Sequence, residues 1–234
     1  LGDVYKRQII NRDDEFYSLM KNAARTKNII SFGLNKKADV YFLKSLRKIF
    51  HIHTPKGQIS IRLKLQGEHN LKNALAAIAA SIALKIPLKA IKKGIEAIKP
   101  VEGRLEVKKG LNSATLIDDT YNANPESMRA AIDVLANQEG KKFLVIGDMG
   151  ELGKKAAQYH ASIGLYINKK KITDIAGVGP LTKHTINKCK GNAKWFSNKK
   201  ELIRYVKSKI SKDSFVLIKG SRFMKMEEVV EGLI

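Results

Sequence analysis

Two adjacent carboxylates, Asp118 and Asp119, close the apolar run Ala114-Thr115-Leu116-Ile117, and a polar turn follows before a helical pattern opens at Pro125. A pair of acids at one strand end could serve acid–base chemistry, hold a metal ion, or only dock a ligand. Two other segments put polar groups in the same kind of place. "IGDMGELG" carries Gly147 and Asp148 after an apolar run, where Asp148 could accept hydrogen bonds from a hydroxyl or an ammonium, or be an acidic turn residue. "LIKGSR" carries Lys219, Gly220, Ser221 and Arg222. Free N–H groups at a following helix start, with Ser221 and Arg222 as further donors, would suit a carboxylate or phosphate. Ser221 could equally be an N-cap. "GEHNLKNALAA" sets Asn70 and Asn73 three apart on one side of a helix start,. Amides there could read a planar heterocycle, or be surface asparagines with capping.

Several sharper motifs fail. "GDMGELGKK" departs from the phosphate-loop pattern, because Gly147 and Gly153 stand one residue too far apart and Lys155 replaces Ser or Thr,. "GVGPL" lacks the third glycine of a dinucleotide fingerprint, and Pro180 sits where the helix should open. His51 and His53 alternate along a possible strand with no further ligand nearby, so no zinc site is expected,.

The elements that must position these residues follow from periodicity and punctuation. After a seam at "IKPVEGRLEV" (Ile98 to Val107), marked by Pro100 and Gly103, strands are expected at 104–109, 114–118, 142–147, 174–178 and 214–219,. Helices are expected at 125–137, 155–170, 181–189, 198–210 and 222–233. Such alternation implies an open α/β sheet of parallel strands with crossover helices, in which ligands bind at the strands' carboxyl ends. Asp119, Asp148 and Lys219 then share one rim. Before the seam, Ile29 to Phe32, Val40 to Phe42 and Gln58 to Gly67 read as strands. A helix over 68–84 has the stripe Leu71, Leu75, Ile78 and Ile82, and a second over 88–98 carries Ile91, Ile95 and Ile98,.

Composition sets the class. A hydrophobic fraction of 44% allows a sizeable core, while Leu71 to Leu84, the best apolar run, is too short to span a membrane,. No charged-then-apolar leader is visible, and the single cysteine, Cys189, excludes an internal disulfide, so a cytoplasmic protein is expected,. The formal charge of +22 raises nucleic-acid binding,. However, 35 of the 44 basic residues are lysine, spread along the chain without clustered arginine or interleaved aromatics,. No nucleic-acid partner is expected, and the charge would help attract anionic substrates. The chain opens on Leu1, and "LGDVYKRQ" resembles translated sequencing-adapter sequence, so a fragment is expected in which residues 1–8 carry no role.

"GEHNLKNALAA", "VEGRLEV", "IDDTYNANPESM", "GDMGELG" and "IKGSRFMKME", in this order, resemble the Mur ligase family, as do "IINRDDEFY" and "IISFGLNKKADVYF". "YNANPESM" with "GDMGELG" and "KGSR" is most similar to the branch that adds D-alanyl-D-alanine to UDP-MurNAc-tripeptide. The resemblance implies residues 9–100 as the rear of a central ATPase domain and 101–234 as a complete Rossmann-like C-terminal domain. It also implies ATP, an acyl phosphate intermediate and attack by the dipeptide amine. The P-loop and the ligands of Mg2+ would lie upstream, so this stretch alone should not turn over; a monomer is expected. By motif position, Asn70 and Asn73 match the adenine-side asparagines. Arg104 matches the arginine that reaches ATP phosphate, and Asp119 or Asp118 matches the aspartate at the nucleotide. Asn122, Asn124, Asp148, Ser221 and Arg222 fall on the dipeptide side. Two other readings remain: another Mur or folylpolyglutamate-type amide ligase, and a phospho-acceptor signalling domain using Asp118, Asp119, Asp148 and Lys219.

Overall fold

The computed structural model describes residues 7–24, 28–47, 49–65, 67–99 and 101–234, which form two compact units, Leu1–Lys99 and Pro100–Ile234. Pro100 of the expected seam and residues 1–6 of the adapter-like segment lie outside the described residues.

The first unit runs β1 (Gln8–Asn11), α1 (Tyr17–Ala23), β2 (Ile29–Gly33), β3 (Val40–Leu46), β4 (Ile49–Thr54), β5 (Gly57–Arg62), α2 (Glu68–Ala83) and α3 (Leu88–Ala97). Its sheet has the order β1-β2-β3-β4-β5, parallel through β3 and antiparallel beyond. Asp13 shapes the turn after β2 by accepting backbone N–H bonds from Leu34 at 2.6 Å and Lys36 at 2.9 Å. The stripe Leu71, Leu75, Ile78 and Ile82 of α2 is buried against Val40, Ile52, Ile59 and Ile61 of the sheet. Each such side chain contributes about 1.5–3 kcal/mol relative to exposure.

Two expectations are corrected here. The strand from Gln58 stops at Arg62 rather than continuing to Gly67. Its partner pairs no further than Ile49 opposite Arg62, and the Arg62 N–H turns instead to Glu96 of α3 at 3.0 Å. Ile98 lies outside α3, in extended backbone, and is 42% exposed while Ile91 and Ile95 are buried. His51 Nδ1 lies 2.9 Å from Ser60 Oγ, and the His53 ring packs on Tyr41.

The second unit runs β6 (Glu106–Lys109), β7 (Thr115–Asp119), α4 (Pro125–Ala136), β8 (Lys141–Ile146), α5 (Ala156–Lys169), β9 (Asp174–Val178), α6 (Thr182–Ile186), β10 (Asn192–Phe196), α7 (Lys199–Lys207), β11 (Ser214–Lys219) and α8 (Glu227–Leu233). The sheet order is β10-β9-β8-β11-β7-β6, all parallel except β6. Strand side chains alternate between two cores. Ile117, Leu144 and Leu217 pack with Met128, Ile132, Ile163 and Ile167 on one face. Leu116, Phe143, Val145 and Val216 pack with Leu202, Val206, Val229 and Leu233 on the other. With both faces buried, these strands read as continuous apolar runs.

The expected elements differ from the observed ones in several places: the strand expected from 104 begins at Glu106 and the helix expected over 198–210 ends at Lys207. β10, "NAKWF", was not among the expected strands, since it is a short edge strand with little apolar alternation. The helix expected over 181–189 ends at Ile186, because the chain must reverse into β10. The helix expected over 222–233 is split into a 3-10 turn, Arg222–Met224, and α8, with Lys225 between them at φ 47°. The fully buried Met226 forces this break. It plugs the space beside Gly147 and Gly220, where a Cβ on Gly220 would lie 2.7 Å from Met226 Cγ.

Candidate functional site

The parallel register sets Asp119 of β7 and Ile146 of β8 level with Lys219 of β11, so three turns leave the sheet at one rim. Lys219, 3% exposed, is the hub of that rim. Its Nζ forms an ion pair with Asp119 Oδ2 at 2.6 Å and donates to the Asn122 carbonyl at 2.7 Å. Burial holds its pKa below the ordinary lysine value; Asp119 opposes that shift, and the positive charge of Arg104 adds to it,. Asp119 also accepts from the Leu105 N–H at 3.2 Å.

The neighbouring acid points elsewhere, as strand alternation requires. Asp118, 2% exposed, accepts from Thr120 N and Oγ1 at 3.2 and 2.7 Å and pairs with Lys108 Nζ at 2.8 Å. Asp148 is likewise 2% exposed. It accepts from Thr182 N at 2.7 Å, Thr182 Oγ1 at 2.6 Å and Leu181 N at 3.3 Å, at the start of α6. Both carboxylates are therefore occupied by the fold. Asp118, expected at the nucleotide, and Asp148, expected at the dipeptide, are each 2% exposed and set within these bonds. The same commitments leave a phospho-acceptor reading without a free acid pair.

Ser221 does not cap the turn it opens. Its Oγ, in a side chain 3% exposed, accepts from Gly150 N and donates to the Ala123 carbonyl, while its N–H donates to the Asp148 carbonyl at 2.9 Å. It ties the three turns to each other. Arg222 points outward, with a side chain 67% exposed, and pairs with Glu227 at 3.0 Å. Asn122 and Asn124 are exposed. Asn122 Oδ1 accepts from the Ala123 N–H at 2.8 Å. Asn124 caps α4 in a capping box with Ser127, and Pro125 takes the first helical position as expected,. The Asn124 Oδ1 is spent on the Ser127 N–H at 2.8 Å, and its amide N–H groups are the part left for a ligand. Phe223, 62% exposed, sits over Gly150.

Arg104 lies on the same rim because β6 runs antiparallel and begins where β7 ends. The side chain is exposed and its guanidinium carbon stands 4.2 Å from the Tyr121 ring centroid. In the first unit, Asn70 and Asn73 fall in the opening turns of α2, the former half-buried and the latter exposed. Among the described residues no three His, Cys, Asp or Glu side chains gather as metal ligands would, and the rim acids are already paired with lysines or backbone. No residue here is assigned to Mg2+.

Sequence reasoning missed His160. It is 1% exposed, accepts from Met149 N at 3.0 Å through Nε2, and lies 2.9 Å from the Ala156 carbonyl through Nδ1. Its spacing from "GDMGELG" carries no signal, because the contact is made by the first turns of α5. Burial holds its pKa below the ordinary 6.5, a shift the Ala156 carbonyl and Asp148 oppose and His184 reinforces. Between that depressed value and 6.5 the unfolded chain binds the extra proton, so stability falls as pH drops through this window. We expect the urea midpoint to fall between about pH 7 and pH 5, and His160→Gln to flatten that limb. An equal slope in the variant would show that other groups set it.

Profiles of known families match both units: "Mur ligase, glutamate ligase domain" over residues 103–222 and "Mur ligase middle domain" over 3–81. The chain is 44% identical over 97% of its length to a UDP-N-acetylmuramoyl-tripeptide--D-alanyl-D-alanine ligase of Buchnera aphidicola subsp. Acyrthosiphon pisum, covering 51% of that protein. Among solved structures it is similar to MurF from Acinetobacter baumannii (34% identity, TM-score 0.88, 97% of this chain and 51% of that one). It also shares the fold of a MurF ligase from Thermotoga maritima in complex with ADP (22% identity, TM-score 0.82, 98% of this chain and 53% of that one). The chain thus spans about half the length of these relatives.

Proposed function

Because this chain belongs to the Mur ligase family, we propose that it is part of a cytoplasmic, monomeric, ATP-dependent ligase joining D-alanyl-D-alanine to UDP-MurNAc-tripeptide in peptidoglycan precursor synthesis. What carries the reading is the match, over nearly the whole chain, to relatives named for that reaction. The first unit then corresponds to the rear of the central domain and the second to the C-terminal domain.

In this reaction ATP phosphorylates the tripeptide carboxylate. The dipeptide amine attacks the resulting acyl phosphate, releasing phosphate and leaving an amide. Little covalent work falls to the residues present here; their part is orientation and charge. Arg104 is an exposed cation of the rim and would neutralise charge that builds on the transferring phosphoryl group,. Lys219 is spent on Asp119 and Asn122 and would instead fix the turn. The open part of its side chain favours Asp119 over Asp118 as the acid that would meet nucleotide. Asn122, Asn124 and Arg222 would face the dipeptide, with Ser221 and Asp148 holding their turns. Asn70 and Asn73 would lie at the adenine.

The test is ADP release by the chain joined to the upstream half found in its relatives. ADP should form only when tripeptide nucleotide and D-alanyl-D-alanine are both supplied. Release driven equally well by a single amino acid such as glutamate would reassign the chain to another amide ligase of the superfamily.

A further inference from the structure

We infer that Tyr121 is a positioning residue whose ring holds the Arg104 guanidinium in place for an anionic substrate; this rests on the reading of Arg104 given above. Three observations converge on it. The guanidinium stacks on the ring at 4.2 Å although both side chains are exposed, Tyr121 by 47%. The acids of this rim are taken by other cations, Asp118 by Lys108 and Asp119 by Lys219, so the stack rather than an ion pair orients Arg104. The backbone on both sides of Arg104 is bent. Gly103 has φ 68° and Leu105 φ 52°, the latter a conformation that residues with a side chain seldom adopt,.

That bend is held from both sides. The Gly103 carbonyl accepts from the Tyr121 N–H at 3.0 Å, and the Leu105 N–H donates to Asp119. A Cβ on Gly103 would stand 3.1 Å from Tyr121 N and 3.2 Å from Thr120 Oγ1. Leu105 itself is 7% exposed, buried in the core that α4 covers. Locally unusual backbone that the surroundings over-determine is a mark of a functional position. A free arginine side chain would have to give up its rotamer freedom on meeting phosphate. One already stacked gives up less, and a cation–π contact leaves the five N–H donors of Arg for the anion.

In this chain, the Arg104 side-chain NMR resonances should carry the upfield ring-current shift of Tyr121 and lose it in Tyr121→Leu. Unshifted resonances in the native chain would overturn the stack. In the completed ligase, Tyr121→Leu should lower kcat/KM for ATP by about three- to ten-fold, in keeping with a surface cation–π contact plus lost order. Tyr121→Phe and Tyr121→Trp should restore it. On an Arg104→Ala background Tyr121→Leu should cost nothing more. An equal loss in both backgrounds, or none in either, sinks the inference, and the aromatic variants keep the test open should Tyr121→Leu fold poorly. If Arg104→Ala alone is silent, the reading of Arg104 fails and takes the inference with it. If Arg104→Ala costs rate while Tyr121→Leu does not, the inference alone fails.

Discussion

Lys219→Met is expected to destabilise the second unit by about 3 kcal/mol, the lower end of the range for breaking a buried ion pair by removing one partner. The amine is 3% exposed and serves Asp119 Oδ2 and the Asn122 carbonyl at once, so the variant strands two acceptors. Asp119 keeps its Leu105 N–H bond and a 14% exposed side chain, which is why the loss should not reach the upper end. For a unit of this size that corresponds to a Tm lower by roughly 10 °C. The double variant Lys219→Met with Asp119→Leu should recover part of the loss, since no unpaired charge is left. Equilibrium unfolding in urea measures both, and a single-variant loss below about 1 kcal/mol would mean that the amine is hydrated rather than buried. The linked proton has a definite sign. The folded pKa of Lys219 lies below its ordinary 10.5, so between the two values the unfolded chain holds the proton more tightly and stability from this group rises with pH,.

Arg104→Ala in the completed ligase is expected to lower kcat by about 100-fold, the scale for losing one charge-stabilising donor at a phosphoryl or acyl transition state. KM for ATP should change much less, because the charge it meets grows along the reaction. Folding should hardly change: the side chain is exposed and rests on the Tyr121 ring. Arg104→Lys should rescue only partly, since an ammonium neither stacks as a plane nor donates in a fork. Single-turnover kinetics with stability measured in parallel decide this. A rate within two- or three-fold of the parent would remove Arg104 from the catalytic set.

Much of the frame was legible because both core faces announce themselves. Leu116-Ile117, Phe143-Leu144 and Val216-Leu217 are adjacent apolar pairs that a two-faced parallel sheet demands, and Leu71, Leu75, Ile78 and Ile82 keep a helix period. β10 and the broken segment at Lys225 were not legible. An edge strand has one partner and little apolar need, and the break depends on Met226 filling a space between glycines distant in sequence. In the site, residue type located the rim but not each side chain's job. Asp118 and Asp119 look alike in sequence, yet alternation sends one to Thr120 and Lys108 and the other to Lys219. Asp148 reads as a ligand acid and is a helix-start acceptor, because α6 begins 34 positions further on. His160 carries no motif, and Tyr121 lies in one that does not reveal its partner; both partners are set by how helices and turns meet.

The ties that run through Ser221 and Lys219 also say where this architecture can change. Gly150 to Ser221, Ser221 to Ala123 and Lys219 to Asn122 join three turns that are far apart in sequence. An insertion or deletion in any one of them misplaces an atom that another needs, so loop length is not a free variable for divergence on this rim. An outward side chain that bears no such tie, Phe223, can vary without disturbing the scaffold. New acceptor preferences on this frame should therefore arise by side-chain replacement at a fixed backbone, and a library aimed at altered specificity belongs at such exposed positions rather than at Tyr121, which holds Arg104.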